Sequence, residues 1–138
     1  SSGFLSGEVG LEGFDKPLNF IIDTGASVSV VSHRLAEFEP IIAYMQPTKM
    51  RVFGAAGVTE NVDTVLLPKV MLGALTREKI SAAVLDMDPV NETAGFTQNG
   101  ILGGNFLRHF RVSFDFARGL IRLEPLDETA RNGDSVRN

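Results

Sequence analysis

Glycine and proline break this chain at short intervals, and that spacing limits what it can fold into. Fourteen glycines and six prolines separate segments rich in Val, Ile, Leu and Phe that are too short, or too regularly alternating, for long helices. Such segments specify a mainly β domain. Phe4–Leu11 and Leu18–Ile22 read as two strands joined through Glu12-Gly13-Phe14-Asp15-Lys16-Pro17. Ser32–Phe38, with Ser32 as cap and Pro40 as stop, reads as one or two helical turns. Residues 49–66 form two strand-like arms around Gly54-Ala55-Ala56-Gly57, whose small residues permit close approach of a backbone or ligand. Taken alone, this is an ordinary surface hairpin. Strands over Lys69–Leu72 and Lys79–Leu85 flank a turn around Gly73 and Arg77, and residues 86–100 make a long polar connection of a kind often functional in compact domains. A short helix is expected from Asn105. Val112, Phe114 and Phe116 then alternate with polar residues, turn at Ala117-Arg118-Gly119 and return as Leu120–Leu123.

The totals bound the domain count and exclude some functions. A chain of 138 residues is one domain's worth, able to bury roughly 68 to 70% of its unfolded surface. With 43% apolar and 22% charged residues and no apolar run near 18 residues, no membrane span is expected. A net charge of −4 without a basic cluster argues against nucleic-acid binding, which depends on neutralising phosphates. The absence of cysteine excludes disulfides and thiolate metal sites and leaves the compartment open. The opening Ser1-Ser2-Gly3, without methionine, reads as a trimmed domain or a tag scar. Beyond Pro125 the sequence turns polar and loses its periodicity, so residues 1–125 are read as the domain and 126–138 as a polar tail or linker. Asn91-Glu92-Thr93 fits a glycosylation acceptor, a use that would require eukaryotic secretion.

The stretch FIIDTGAS, residues 20–27, ends an apolar run on Asp23, a group that resists burial unless paired or put to use. Three chemistries use an acid in this position. Phosphoryl transfer through an aspartyl nucleophile would want a second acid where Gly25 stands, and the chain has no phosphate-binding loop. Metal binding would recruit His33 and His109, but both lie in helix-like segments beside arginines, with no paired ligand at suitable spacing. Neither a metal nor a cofactor is therefore expected. The third chemistry is a carboxylate pair that activates water, in which two carboxyls about 3 Å apart share one proton because both cannot ionise. Only one Asp-Thr-Gly is present. A twofold homodimer supplies the second from an identical chain. Gly25 then lets the loop turn so that backbone amides hold the carboxylate, and Thr24 can hydrogen-bond across the axis.

IIDTGAS, the glycine-tipped hairpin at 52–58, and GILGGNFL before a terminal β-hairpin stand in the order and approximate spacing found in retropepsin-like aspartic proteases. From about Gly7 to Leu123 the chain resembles that family, most of all the bacterial and cellular single-domain relatives of the retroviral enzymes. The resemblance implies a closed acid-protease β-barrel with one short C-terminal helix, active as a C2 homodimer. It implies an aspartic endopeptidase in which an Asp23 dyad at the dimer axis activates water, with Asp23, Thr24 and Gly25 catalytic. Ala26 would touch the substrate backbone, and Phe53, Gly54, Ala55, Ala56 and Gly57 would belong to a flap running to Val58 that closes over a bound peptide. Ile101, Leu102 and Gly103 would cross beneath the catalytic loop, and Asn105 would begin the C-terminal helix. Ile21, Val28, Val30, Ala55, Asn99 and Ile101 would line side-chain pockets, although each also reads as an ordinary core or loop residue. The implied partners are a second copy of the chain and a peptide or protein substrate. Ser27, Val28 and Gly104 depart from the retroviral pattern, so the intersubunit ion network of those enzymes cannot form. The alternative is a non-catalytic module that keeps the fold for dimerisation or peptide binding; half of a two-lobed enzyme fits the length poorly.

Overall fold

The architecture is visible in a computed structural model that describes residues 5–53, 59–95, 97–108, 110–115, 117–118 and 120–126. Its strands are β1 (Ser6–Leu11), β2 (Leu18–Ile22), β3 (Ser29–Ser32), β4 (Met45–Phe53), β5 (Thr59–Leu72), β6 (Leu75–Leu85), β7 (Gly100–Leu102), β8 (Phe110–Asp115) and β9 (Leu120–Pro125). A 3-10 turn (Leu35–Glu37) and the short helices α1 (Glu39–Ile42), α2 (Asp88–Ala94) and α3 (Gly104–Leu107) lie between them. Seven strands form one sheet in the order β1-β2-β7-β3-β6-β5-β4, with β1 also paired to β5, and β8 and β9 form a separate hairpin. The fold is mainly β, as the sequence predicts.

Several elements differ from the sequence expectation, for reasons that can be named. Residues 59–72 are one strand passing through Pro68, and β6 begins at Leu75, so the turn falls at Gly73 and Ala74 rather than around Arg77. The ladder keeps its register across the proline, with Leu67 opposite Ile80 and Lys69 opposite Glu78. Pro68 has no N–H to donate, and Lys79, the residue it would pair with, takes a positive φ of 57°. β4 likewise starts at Met45 rather than Lys49. The helical turn ends at Glu37, where Phe38 is extended, and Pro40 sits in the first turn of a new helix, α1, where a missing N–H costs nothing. Ser32 does act as a cap, its Oγ accepting from the Leu35 N–H at 3.0 Å. The connection at 86–100 contains α2, closed by Gly95 at φ 81°. Among the described residues α1 and α2 thus add to the helical turn expected within Ser32–Phe38 and to the expected C-terminal helix, α3, which starts at Gly104, one residue before Asn105. Phe4, Phe116, Gly119 and residues 127–138 lie outside the described residues.

Alternation along the central strands sorts side chains to two faces. Phe20, Ile22, Val31 and Leu102 enter the main core with Val9, Leu67, Val70 and Phe106. Ile21, Val30 and Ile101 turn the other way and meet Met87. β7 is wedged between β2, which it parallels, and β3, which it opposes, so Ile101 is the partner of both Ile21 and Val30. Gly100 makes this wedge possible: a Cβ there would stand 2.3 Å from the Val30 carbonyl oxygen and 2.5 Å from the Phe20 ring.

Among the described residues one buried side chain is unmatched. Gln98 is fully buried, and neither polar atom of its side chain has a hydrogen-bond partner. Its backbone, by contrast, is bracketed by the Asn91 amide, which accepts from the Gln98 N–H at 2.7 Å and donates to its carbonyl at 3.2 Å. A buried unpaired amide costs about 1–3 kcal/mol, so Gln98→Met, of similar volume, is expected to raise stability by about 1 kcal/mol. Urea unfolding measures this, and a lowered midpoint would contradict it.

Candidate active site

Asp23 leaves β2 with its backbone still tethered to β7, its N–H donating to the Leu102 carbonyl at 3.0 Å. The loop then tightens over three residues. The Gly25 N–H donates to Asp23 Oδ1 at 2.9 Å, and the Ala26 N–H donates to the Asp23 carbonyl at 3.2 Å. A Cβ on Gly25 would stand 3.3 Å from that carboxylate oxygen, so glycine here leaves room beside the acid. Asp23, Thr24 and Gly25 are all exposed, whereas Ala26 and Val28 are half-buried. A solvent-facing carboxylate held in place by a backbone amide is ready to accept a further partner or a proton.

The segment 103–105 crosses beneath this loop and fixes it. The Gly104 N–H donates to the Ala26 carbonyl, and the Asn105 N–H donates to the Ser27 carbonyl at 3.1 Å. Ser29 Oγ, fully buried, accepts from the Gly103 N–H at 3.1 Å and donates to Asn105 Oδ1 at 2.8 Å. Asn105 Nδ2 in turn donates to the Ser81 carbonyl of β6 at 2.7 Å. The loop that carries Asp23 is therefore bonded to β7 and α3, and through Asn105 to β6. Sequence reasoning did not single out Ser29 or Ser81. The only signal was a serine placed before the apolar pair Val30-Val31, and a buried hydroxyl must find partners.

The other residues proposed from sequence fall in different places. Val30 and Ile101 share a face with Ile21, next to Asp23 in the strand pattern. Phe53 ends β4 with three quarters of its surface exposed, opposite Thr59, so the hairpin arms are in register up to its tip. The tip itself, Gly54, Ala55, Ala56 and Gly57, lies outside the described residues. Asn99 stands at the other end of β2 from Asp23. It bonds Asn19 through backbone and side chain, at 2.7 and 3.3 Å, and its carbonyl accepts from the Ser32 N–H at 2.9 Å. Four residues of strand separate that end of β2 from Asp23, about 13 Å.

Around α2 the surface is polar. Arg34 forks onto Asp88, with both nitrogen–oxygen distances at 3.2 Å, and this hydrogen bond and charge raise the Arg34 pKa. Clefts of about 510 and 250 Å³ flank the pair, one lined also by Asn91, Glu92 and Thr97, the other by Ser32, His33, Glu37, Asp86 and Met87. His33 is exposed, and His109 lies outside the described residues. Among the described residues no three of His, Asp and Glu are grouped so as to hold a metal ion.

An acid on a tight loop, strapped from below by a glycine-rich turn in a mainly β fold, suits an aspartic protease. Residues 7–106 match the aspartyl protease family, and the chain belongs to it. Its fold is similar to that of a retropepsin-like aspartic protease from Rickettsia conorii, with a TM-score of 0.60 at 20% identity over 88% of this chain and 82% of that one. It is also similar to the retroviral protease-like domain of Ddi1 from Leishmania major, with a TM-score of 0.58 at 14% identity over 89% and 94% of the two chains. A foamy viral protease-reverse transcriptase, solved with an RNA/DNA hybrid, matches with a TM-score of 0.51 at 15% identity over 89% of this chain and 12% of its own. No curated protein matches at the level of sequence.

The two glycines of the strap differ in tolerance. A Cβ at Gly103 would lie 2.2 Å from the Val28 carbonyl oxygen, whereas at Gly104 the nearest atom, the Ala26 carbonyl oxygen, is 3.2 Å away. Gly103→Ala is expected to cost at least about 1–3 kcal/mol and Gly104→Ala clearly less, since the first forces backbone apart. Paired unfolding curves check this; equal midpoints would show that the strap does not press on the loop.

Proposed function

We propose that this protein is an aspartic endopeptidase that works as a twofold homodimer, each subunit supplying one Asp23. The observation that carries the reading is the exposed Asp23 carboxylate, held by the Gly25 N–H in a family whose chemistry needs two such acids, on a chain with a single Asp-Thr-Gly. One carboxylate takes a proton from water as the oxygen attacks the carbonyl carbon of the scissile peptide. The other, protonated, donates to the carbonyl oxygen. Collapse of the tetrahedral intermediate breaks the C–N bond, and the leaving nitrogen takes up a proton from the dyad. No step requires a metal or a covalent enzyme intermediate. Thr24 would lock the two loops together across the axis. The extra pairing of β1 with β5 supports a closed barrel as the frame of each half-site. The β4–β5 hairpin would act as the flap, with Phe53 and the tip residues covering an extended peptide and excluding water.

Asp23→Asn is expected to lower the rate of peptide cleavage by at least about a hundredfold while leaving the sedimentation behaviour of the dimer unchanged. Activity against pH should follow a bell, with one limb for the required base and one for the required acid. An Asp23→Asn variant with full activity, or a strictly monomeric protein that cleaves at full rate, would refute the proposal. Peptide binding without cleavage at any pH would instead favour a binding module.

A further inference from the structure

The stretch between β3 and β4 leaves large apolar side chains in solvent while its neighbouring residues enter the core. Leu35 and Ile41 are buried, whereas Phe38 is 56% exposed, Ile42 47% and Tyr44 40%. Phe38 caps α1, and the Ile42 N–H donates to its carbonyl at 3.0 Å, so one helical turn separates the two. The β1–β2 turn adds a third residue: the Phe14 ring lies 5.9 Å from that of Phe38. Turn and helix press together at Gly13, where φ is 92° and a Cβ would stand 2.7 Å from Pro40 Cβ. Clustered apolar surface of this kind, unlike single exposed residues, marks a binding surface.

The rim of the patch is acidic. Glu37 and Glu39 flank Phe38, Glu12 and Asp15 flank Phe14, and Lys16 is the one base within residues 12–17 and 37–44. All four acids are exposed. Arg34, three residues before Glu37, is already forked onto Asp88. Among the described residues none of Glu12, Asp15 and Glu39 is in an ion pair.

This charge selects the occupant. A second copy seated here by a twofold axis would set each acidic rim against itself, and an anionic membrane would be repelled by it. A segment with an apolar stripe bordered by lysines or arginines suits both parts of the surface, the stripe covering Phe38 and Ile42 and the cations facing the acids. We infer that the face formed by α1 and the β1–β2 turn docks a basic, amphipathic segment of another protein. The turn lies at the end of β2 away from Asp23, and the six residues from Pro17 to Asp23 span about 20 Å when extended. A docked segment therefore leaves Asp23 uncovered, and the inference does not depend on the protease reading.

The test uses the full chain in an Asp23→Asn background, so that no probe is consumed, and a labelled synthetic helical peptide with Leu on one face and Lys on the other. Two control peptides carry Glu in place of every Lys, or the same residues in scrambled order. Fluorescence anisotropy should show the Lys peptide binding at least about tenfold more tightly than either control, with affinity falling as salt is raised. Phe38→Ser combined with Ile42→Ser should weaken binding at least about tenfold, the loss expected when apolar anchors are removed. Glu39→Lys, which keeps the apolar surface, should weaken it several-fold. Urea midpoints check that the variants are folded. Absence of binding, equal binding of a control peptide, or undiminished binding by the folded variants would overturn the inference. Self-association beyond a dimer that the Phe38 and Ile42 substitutions abolish would give the face to a second copy instead. Binding to phosphatidylserine vesicles lost with the same substitutions would give it to a membrane, and either result would overturn the docking of a basic segment.

Discussion

β7 is three residues long, yet the loop carrying Asp23 takes its position from the way that strand is wedged between β2 and β3. The wedge needs Gly100, because any side chain there would run into the Val30 carbonyl and the Phe20 ring. Once seated, β7 offers the Leu102 carbonyl to the Asp23 N–H and delivers Gly103 under the loop. It also sets which residues are core and which are surface. Phe20, Ile22 and Leu102 go inward; Ile21 and Ile101 go to the other face, with Val30 and Met87.

The hydrogen bonds below the loop explain why an exposed acid keeps a fixed place. Each bond made by Ser29 or Asn105 stabilises by only about 1 kcal/mol net, but losing a partner would leave a buried group unsatisfied at greater cost. The chain Gly103–Ser29–Asn105–Ser81 thus resists partial disruption. It joins the functional loop to β6, whose pairing with β5 runs along eight residue pairs. Positioning of the acid therefore depends on side chains that never face the substrate. α2 is held differently, by apolar packing of Met87 and Val90 with short polar ties at its ends. The exposed Arg34–Asp88 fork, screened by solvent, adds little to that packing.

Much of the fold was legible because the signals were local. β2 has the bounds expected of it, since Leu18–Ile22 is enclosed by Pro17 and Asp23. The β4–β5 hairpin followed from small residues between two alternating arms. What escaped depended on distant partners. Lys69–Leu72 was read as a strand apart from the arm ending at residue 66, but the β5–β6 ladder is long enough to pass over the one donor missing at Pro68. The four residues of β3 carry no more strand signal than many loops, and they become a strand because β6 and β7 lie on either side. α2 was read as loop because its few apolar residues show no helical period long enough to recognise, and their burial comes from the sheet beneath. The place of Asn99, beside Asn19 at the other end of β2 from Asp23, also followed only from the pairing of β2 with β7.

By itself, the sequence determined a mainly β chain, a single acid on a tight glycine turn, and the family to which those motifs belong. These are statements about residue type and order, and glycine, proline and apolar alternation act over a few positions. Tertiary structure alone decided that Ser29 and Ser81 fasten the loop, that Ile21, Val30 and Ile101 form one face, and that Met87 closes it. Each of those facts joins residues that are far apart along the chain, and only the register of the strands sets which of them meet.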